Sequence, residues 1–298
     1  MKFTAAATFL MLASLALPAS AQSVANGFYT KGFVELEFFD GGGSSDVLGY
    51  ANVDFGITPS ASGFGFDLGV EAVSVNGSDD AALYGAVSYF GGFGKVQVGV
   101  PRPVIDDYLD VPNLGGLQFF DIALLSVFDG SLVSGGYVLG GSDAPLGLRY
   151  DGTFGSTTVG ASYHSVDGSD VLDLAANYSM GKTTLRGGVE HLRGGSGSET
   201  SYFLGAETQF GKINAGVLYS NVGTIDDANA LQLYATYKPL DQLELTANVA
   251  AVETSGSDAL LYGLSADYNF NQGAYVQAGV ADGEAASSVY NLSLGLKF

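Results

Sequence analysis

The residues best equipped for chemistry in this 298-residue chain are its carboxylates. Five of them, Asp106, Asp107, Asp110, Asp121 and Asp129, fall between positions 106 and 129 of the single stretch 102–143. Crowded acids of this kind hold cations, either as a diffuse field or as oxygen ligands for a hard ion such as calcium. No twelve-residue calcium loop frames them, so a calcium ion among these loop acids would depend on folding to assemble its ligands, and no other cofactor is expected. Other chemistries are poorly supplied. The chain has no cysteine and two histidines, which removes thiolate nucleophiles and the usual zinc ligand sets. His164 and Ser165 are adjacent, and neighbours on a strand point to opposite faces, so His164 reads as a polar wall residue rather than a general base. Gly181-Lys182-Thr183 ends like a phosphate-binding loop, but Ala176 stands where that motif needs glycine, and the segment reads as a turn. With 31 acidic against 11 basic residues and a net charge of −20, a nucleic-acid partner is excluded.

The elements that must position these acids are strands. At 47% hydrophobic residues the chain is too apolar for disorder, while 14% charged residues and 44 glycines set it apart from an ordinary soluble domain. Residues 1–21 carry Lys2, an apolar run from Ala5 to Leu17, then Pro18 and Ala19-Ser20-Ala21, the layout of a cleaved secretory signal peptide. Beyond it, 22–298 reads as one domain in which apolar and small polar residues alternate. Leu243, Leu245, Ala247 and Val249 interleave with Glu244, Thr246, Asn248 and Ala250, and Tyr290 to Phe298 repeats the pattern. The same parse yields sixteen strands, near 27–39, 47–57, 64–74, 81–90, 94–101, 144–153, 156–166, 170–180, 183–192, 200–210, 213–222, 228–237, 243–253, 258–269, 274–282 and 287–298.

Strands of about ten residues match the length that crosses a bilayer when tilted. The connections fall into two alternating classes. One is tight and follows an aromatic residue, as at Phe154-Gly155-Ser156, Phe210-Gly211-Lys212 and Tyr237-Lys238-Pro239; the other is acidic and rich in Gly and Ser, as at Asn76 to Asp80 and Asp167 to Asp170. Two unlike rims, one with an aromatic belt, are what a membrane barrel requires. The greasy faces, such as Val34/Leu36/Phe38 and Leu231/Leu233/Ala235/Tyr237, carry no charge at mid-strand, whereas the other faces are dense in Gly, Ser, Thr, Asn and charges. The expected fold is therefore all-β: a transmembrane antiparallel up-and-down barrel of 16 strands around a wet lumen. The expected location is the bacterial outer membrane.

These features resemble the Gram-negative porin family, most closely its alphaproteobacterial general-diffusion members. The resemblance rests on the leader, the sixteen alternating strands, the final Tyr290-Asn-Leu-Ser-Leu-Gly-Leu-Lys-Phe298 and the long connection after the fifth strand, and it spans the chain beyond the leader. It implies a homotrimer in contact with outer-membrane lipid and lipopolysaccharide. It also implies that Tyr290, Leu296 and Phe298 form the signal read by the barrel-assembly machinery, and that the connection 102–143 folds inward as the third external loop. The apolar content of that loop, Leu117, Phe119, Phe120, Ile122, Leu124 and Leu125 among it, demands cover, and the inner wall supplies it.

On this reading the loop acids line a constriction opposite the wall residues Lys31, Arg149, Arg186, Glu35, Asp67 and Glu71. An eyelet narrower than the Debye length of about 8 Å leaves wall charges incompletely screened, and the excess of acids favours cations. The expected function is passive diffusion of small hydrophilic solutes and ions, without enzymatic activity. A solute-specific channel stays open as an alternative because Tyr29, Phe33, Tyr84, Phe203, Tyr234 and Tyr275 project inward. An outer-membrane barrel enzyme such as a lipid hydrolase, using His164, is the alternative from another class.

Overall fold

A computed structural model describes residues 27–76, 78–118, 131–138, 143–195, 197–223, 228–256, 258–284 and 286–298. The expected leader at 1–21 and the loop acids Asp121 and Asp129 lie outside the described residues. The chain forms a closed barrel in which every strand pairs with its neighbours in sequence, and β1 closes on β16. The strands are β1 (Phe28–Gly41), β2 (Ser44–Ile57), β3 (Gly63–Val75), β4 (Ser78–Gly91), β5 (Gly94–Val100), β6 (Leu146–Phe154), β7 (Thr157–Val166) and β8 (Ser169–Met180). They continue as β9 (Thr183–Gly194), β10 (Gly197–Phe210), β11 (Ile213–Val222), β12 (Ala228–Leu240), β13 (Leu243–Glu253), β14 (Asp258–Asn269), β15 (Ala274–Gly283) and β16 (Ala286–Lys297). All sixteen lie where alternation puts them. The turns of both rims are short, so the barrel has one long connection, between Val100 and Leu146.

Closure at the ends of the chain is local chemistry. Val34 faces Leu296 and Phe38 faces Leu292 across the β1–β16 seam, and the Phe298 amide donates to the Gly32 carbonyl at 2.9 Å. Phe298 and Leu296 pack against the outward patch of Val34, Ala51 and Ala72.

The outer face is apolar at mid-height, where Leu148, Leu174, Leu204, Leu233, Leu264 and Leu294 stand exposed. Aromatic residues flank this band. Phe64, Phe154, Phe210 and Phe270 lie near one rim and Tyr163, Tyr202, Tyr219 and Tyr262 toward the other. The tyrosines bury a ring in the apolar zone and keep the hydroxyl on polar ground: Tyr163 donates to Asp170 at 2.6 Å and Tyr219 to Asn229 at 2.7 Å. Exposing this much hydrocarbon to water would be costly, at about 25 cal/mol per Å2, and lipid is the solvent that removes the cost.

The polarity of the inner face changes with height. Toward the external rim the inward positions include Phe39, Leu48, Val73, Val222, Ala230 and Ala281, which join one buried apolar cluster. Toward the opposite rim they include Lys31, Asp54, Asp67, Arg186, Glu244 and Lys297, with the aromatic Tyr29, Phe33 and Tyr275 among them. Alternation assigns a side chain to a face and says nothing of its height, and a height-dependent change emerges only when the strands are set in register.

The long connection enters the barrel at Pro101. A short helix, α1 (Val104–Tyr108), packs on β7, β8 and β9, and a 3-10 turn at Leu114–Gly116 packs on β13, β14 and β15. A second helix, α2 (Leu132–Val138), lies against β3 and β4. Because β5 is only seven residues long, its pairing with β4 stops at Gly85–Val100. Tyr137 of α2 covers the β4 edge above that point, donating its hydroxyl to the Leu83 carbonyl at 3.0 Å.

Candidate functional site

The site is the zone where the inner connection meets the wall. A buried loop backbone must satisfy its own N–H and C=O groups, and here side chains of seven strands do so. Arg149 (β6) donates to the carbonyls of Arg102 and Pro103 at 3.1 and 3.2 Å. Ser162 (β7) accepts the Val104 amide at 3.0 Å, and Arg186 (β9) donates to the Asp110 carbonyl. Gln232 (β12) donates to the Pro112 carbonyl at 2.9 Å. Asn248 (β13) uses both ends of its amide, accepting from the Gly115 N–H at 3.1 Å and donating to the Asn113 carbonyl at 2.8 Å. Asn291 (β16) donates to the Gly116 carbonyl at 2.9 Å, and Glu37 (β1) accepts the Gln118 amide at 3.2 Å. The connection is thus fastened around much of the circumference.

Glycines on the wall make room for it. A Cβ on Gly263 would stand 2.1 Å from the Gly115 nitrogen, and one on Gly279 would stand 1.9 Å from the Gly115 oxygen. Gly115 itself has φ of +62°, a conformation glycine adopts without penalty. These contacts place Leu114 and Leu117 into the apolar cluster of the outer half.

The sequence-selected acids of the connection have three different fates. Asp106 is half-buried at the edge of the cavity below the connection, accepting bonds from the Ser131 amide at 2.8 Å and the Ser134 hydroxyl. Burial, helped by the negative charge of Glu71, pushes its carboxyl up to about 7 against those two hydrogen bonds. Asp107 is one third exposed and clamped by Arg149 at 2.6 Å and Lys31 at 3.2 Å. Its burial acts to raise the carboxyl, but the two cations outweigh that and hold it well below the usual carboxylate range. Asp110 is exposed and faces the cavity below the connection.

The selected wall residues are also brought into this zone. Arg149 is buried and forms a bidentate pair with Asp151 at 2.8 and 2.9 Å, and Arg186 approaches Glu207 at 3.6 Å. Asp67 accepts from Tyr29, Ser88 and Gln97, with Lys95 3.7 Å away. Glu35 accepts from Tyr275 and is 5% exposed. The wall bases therefore sit in contact with acids rather than facing them across an open gap. Among the described residues, no group of three or more histidine, cysteine or acidic side chains converges to hold a metal.

Reading the sequence missed Arg102. It pairs with Asp54 at 2.7 Å and Glu71 at 3.0 Å, and its guanidinium lies 4.2 Å from the centre of the Tyr84 ring. Its position at the exit of the shortest strand was the available signal, since an arginine entering the lumen there must meet acids on the neighbouring wall. The belt of Gln232, Asn248 and Asn291 was legible as inward amides, but nothing local announces their partners. His164 is fully buried, its Nε2 is 2.9 Å from the Pro101 carbonyl and its Nδ1 is 3.9 Å from Asp173, so it braces the start of the connection out of reach of solvent.

Below the connection lies a cavity of about 560 Å3. Glu35, Glu71, Asp106, Asp110, Glu207, Glu244 and Asp267 line it with Lys238 and Lys297. Glu71, Glu207 and Glu244 have basic partners, and Lys297 lies 4.5 Å above the Tyr275 ring. The remaining acids, Glu35, Asp106, Asp110 and Asp267, outnumber that lysine.

Residues 5–286 match the family model described as Gram-negative porin. No curated protein matches the chain. Among solved structures, a triple-substituted porin of Rhodopseudomonas blastica is 18% identical with a TM-score of 0.69, the alignment covering 91% of this chain and 100% of that one. A structure described under asymmetric conductivity of engineered proteins is 17% identical, with a TM-score of 0.71 and the same coverage.

Proposed function

Because the chain belongs to the Gram-negative porin family and is an outer-membrane β-barrel channel, we propose that it passes small hydrophilic solutes and ions by passive diffusion, with a preference for cations. The observation that carries the cation preference is the chamber of about 560 Å3, whose seven carboxylates outnumber its two lysines. Charges on a wall this close to the solute are incompletely screened, and carboxylate-lined pores select cations for that reason. Within this reading the loop acids contribute unequally. Asp107 is neutralised by Arg149 and Lys31, and Asp106 is engaged with Ser131 and Ser134, so among the described loop acids Asp110 is the one that acts on a passing ion.

Assembly as a homotrimer in lipopolysaccharide-bearing membrane belongs to the same proposal, supported by the family's general oligomeric habit. Planar-bilayer recording tests the selectivity. Under a KCl gradient the reversal potential is expected on the cation side, moving toward zero in the combined Asp110→Asn, Glu207→Gln, Asp267→Asn variant. An anion-side potential in the unaltered chain would refute the preference.

A further inference from the structure

Two carboxyls outside the chamber lie behind the inner connection. Asp173 (β8) and Glu190 (β9) are direct cross-strand partners on the inner face, with 0% and 4% exposure. Directly opposed side chains stand about 5 Å apart at Cβ, and these two carboxyls are within hydrogen-bonding reach of each other. Each also holds a different leg of the connection. Glu190 accepts from the Ser131 hydroxyl and, at 3.1 Å, from the Leu132 amide. Asp173 accepts at 2.7 Å from the Ser162 hydroxyl, whose oxygen in turn accepts the Val104 amide at 3.0 Å. One pair thus fastens the connection at 104 and again at 131–132.

The groups around the pair do not neutralise it. Arg149 on β6 is engaged with Asp107, Asp151 and two loop carbonyls. His164 on β7 is bonded through Nε2 to the Pro101 carbonyl, and its Nδ1 stands 3.9 Å from Asp173, beyond hydrogen-bond length. On β10 the residue opposite Glu190 is the uncharged Ser201, and α1 brings a further acid, Asp106, to the Ser131 amide. Two buried carboxylates this close cannot both stay ionised without a cation between them. Asp173 Oδ1 has no donor among the described residues. A proton held between the two carboxyls supplies that donor and removes half of the buried charge.

We propose that Asp173 and Glu190 are positioning residues of the channel, a carboxyl pair that holds one proton between its members and seats both legs of the inner connection. How far the connection stands from the wall, and with it the aperture left for solutes, is then set from behind by a pair that touches no solute. This rests on the channel reading above.

The test compares the full-length protein with Glu190→Gln and Glu190→Ala, folding being checked by heat-dependent gel mobility. An amide at 190 mimics the protonated acid, since it donates to Asp173 and still accepts from Leu132. The infrared spectrum of the unaltered chain minus that of Glu190→Gln, at about pH 7, should contain the carbonyl band of one protonated carboxyl. Hydrogen exchange at the Leu132 amide should quicken about tenfold or more in Glu190→Ala and return to the unaltered rate in Glu190→Gln. Conductance in planar bilayers with KCl should change by at least about 1.5-fold in Glu190→Ala and be restored in Glu190→Gln. A difference spectrum without that band overturns the proposal, as do folded Gln and Ala variants with the same exchange rate. Faster exchange in Glu190→Ala at unchanged conductance overturns the control of the aperture. The band and the exchange rescue, found with no current from any of the three chains, would support the seating by the pair and sink the channel reading instead.

Discussion

Gly263→Ala is the sharpest perturbation of the inner connection, because it changes one methyl group on a wall that otherwise stays intact. The added Cβ would lie 2.1 Å from the Gly115 nitrogen, 2.6 Å from its Cα and 2.5 Å from Asn248 Oδ1. Ordinary carbon contacts are about 3.5–4.0 Å, so the turn at 114–116 must retreat by about 1.5 Å. The Gly115–Asn248 bond, now 3.1 Å, does not survive such a shift. The neighbouring bonds from Asn248 to the Asn113 carbonyl and from Asn291 to the Gly116 carbonyl, 2.8 and 2.9 Å, are strained with it. Each buried polar group left without a partner costs about 1–3 kcal/mol. Three such groups at the low end give about 3 kcal/mol, roughly a hundredfold in the equilibrium between seated and released turn.

Hydrogen exchange on the assembled protein measures this directly. Amides of 113–118 should lose about two orders of magnitude in protection, while β14 amides pointing into the β13 and β15 ladders keep theirs. Gly195→Ala, whose added carbon meets nothing within 4 Å, is the control. Unchanged protection of 113–118 in Gly263→Ala would refute the claim that the wall glycines hold this turn.

The two central loop acids predict opposite pH behaviour. The Asp106 carboxyl is raised to about 7 in the folded protein, so its contribution to seating 131–134 is full below the ordinary carboxylate value near 3.9 and is lost as pH rises through about 7. Intrinsic-rate-corrected exchange at the amides of 131–134 should therefore quicken between pH 5 and pH 8, and Asp106→Asn should flatten the profile; a flat profile in the unaltered chain would contradict the assignment. Asp107 is depressed, so its contribution is present above about 3.9 and fades only as pH falls through its lower folded value. Arg149→Met strands Asp151 and two loop carbonyls and leaves Asp107 to Lys31 alone, and removing one partner of a buried pair costs about 3–5 kcal/mol. Its signature is increased protease sensitivity at 102–110 with the barrel still heat-modifiable on gels, and an unchanged digestion pattern would show that Arg149 is dispensable for holding the loop.

What the chain alone settled is the barrel. Alternation is a local property, because successive residues on a strand face opposite sides. Leu243 to Glu253 therefore declares its lipid face and its lumen face without reference to any other segment. The paired aromatic turns and acidic turns then fix which strand ends share a rim, and sixteen strands follow. The same logic made the inward placement of Lys31, Glu35, Asp67, Glu71, Arg149 and Arg186 readable.

What only the tertiary structure decided is the function-bearing detail inside. Lys31 meets Asp107 across 76 positions in sequence, Gly115 meets Asn248 across 133, and Gly116 meets Asn291 across 175. No periodicity encodes such meetings, because they depend on the path of an irregular connection over a curved wall. The neutralisation of Asp107, the withdrawal of Asp106 and the exposure of Asp110 all follow from that path. The buried apolar cluster under the connection is intermediate in kind. Its members are visible one by one in the sequence, but they become a cluster only when register brings Phe39, Leu48, Ala250 and Ala281 to one height and the connection lays Leu114 and Leu117 against them.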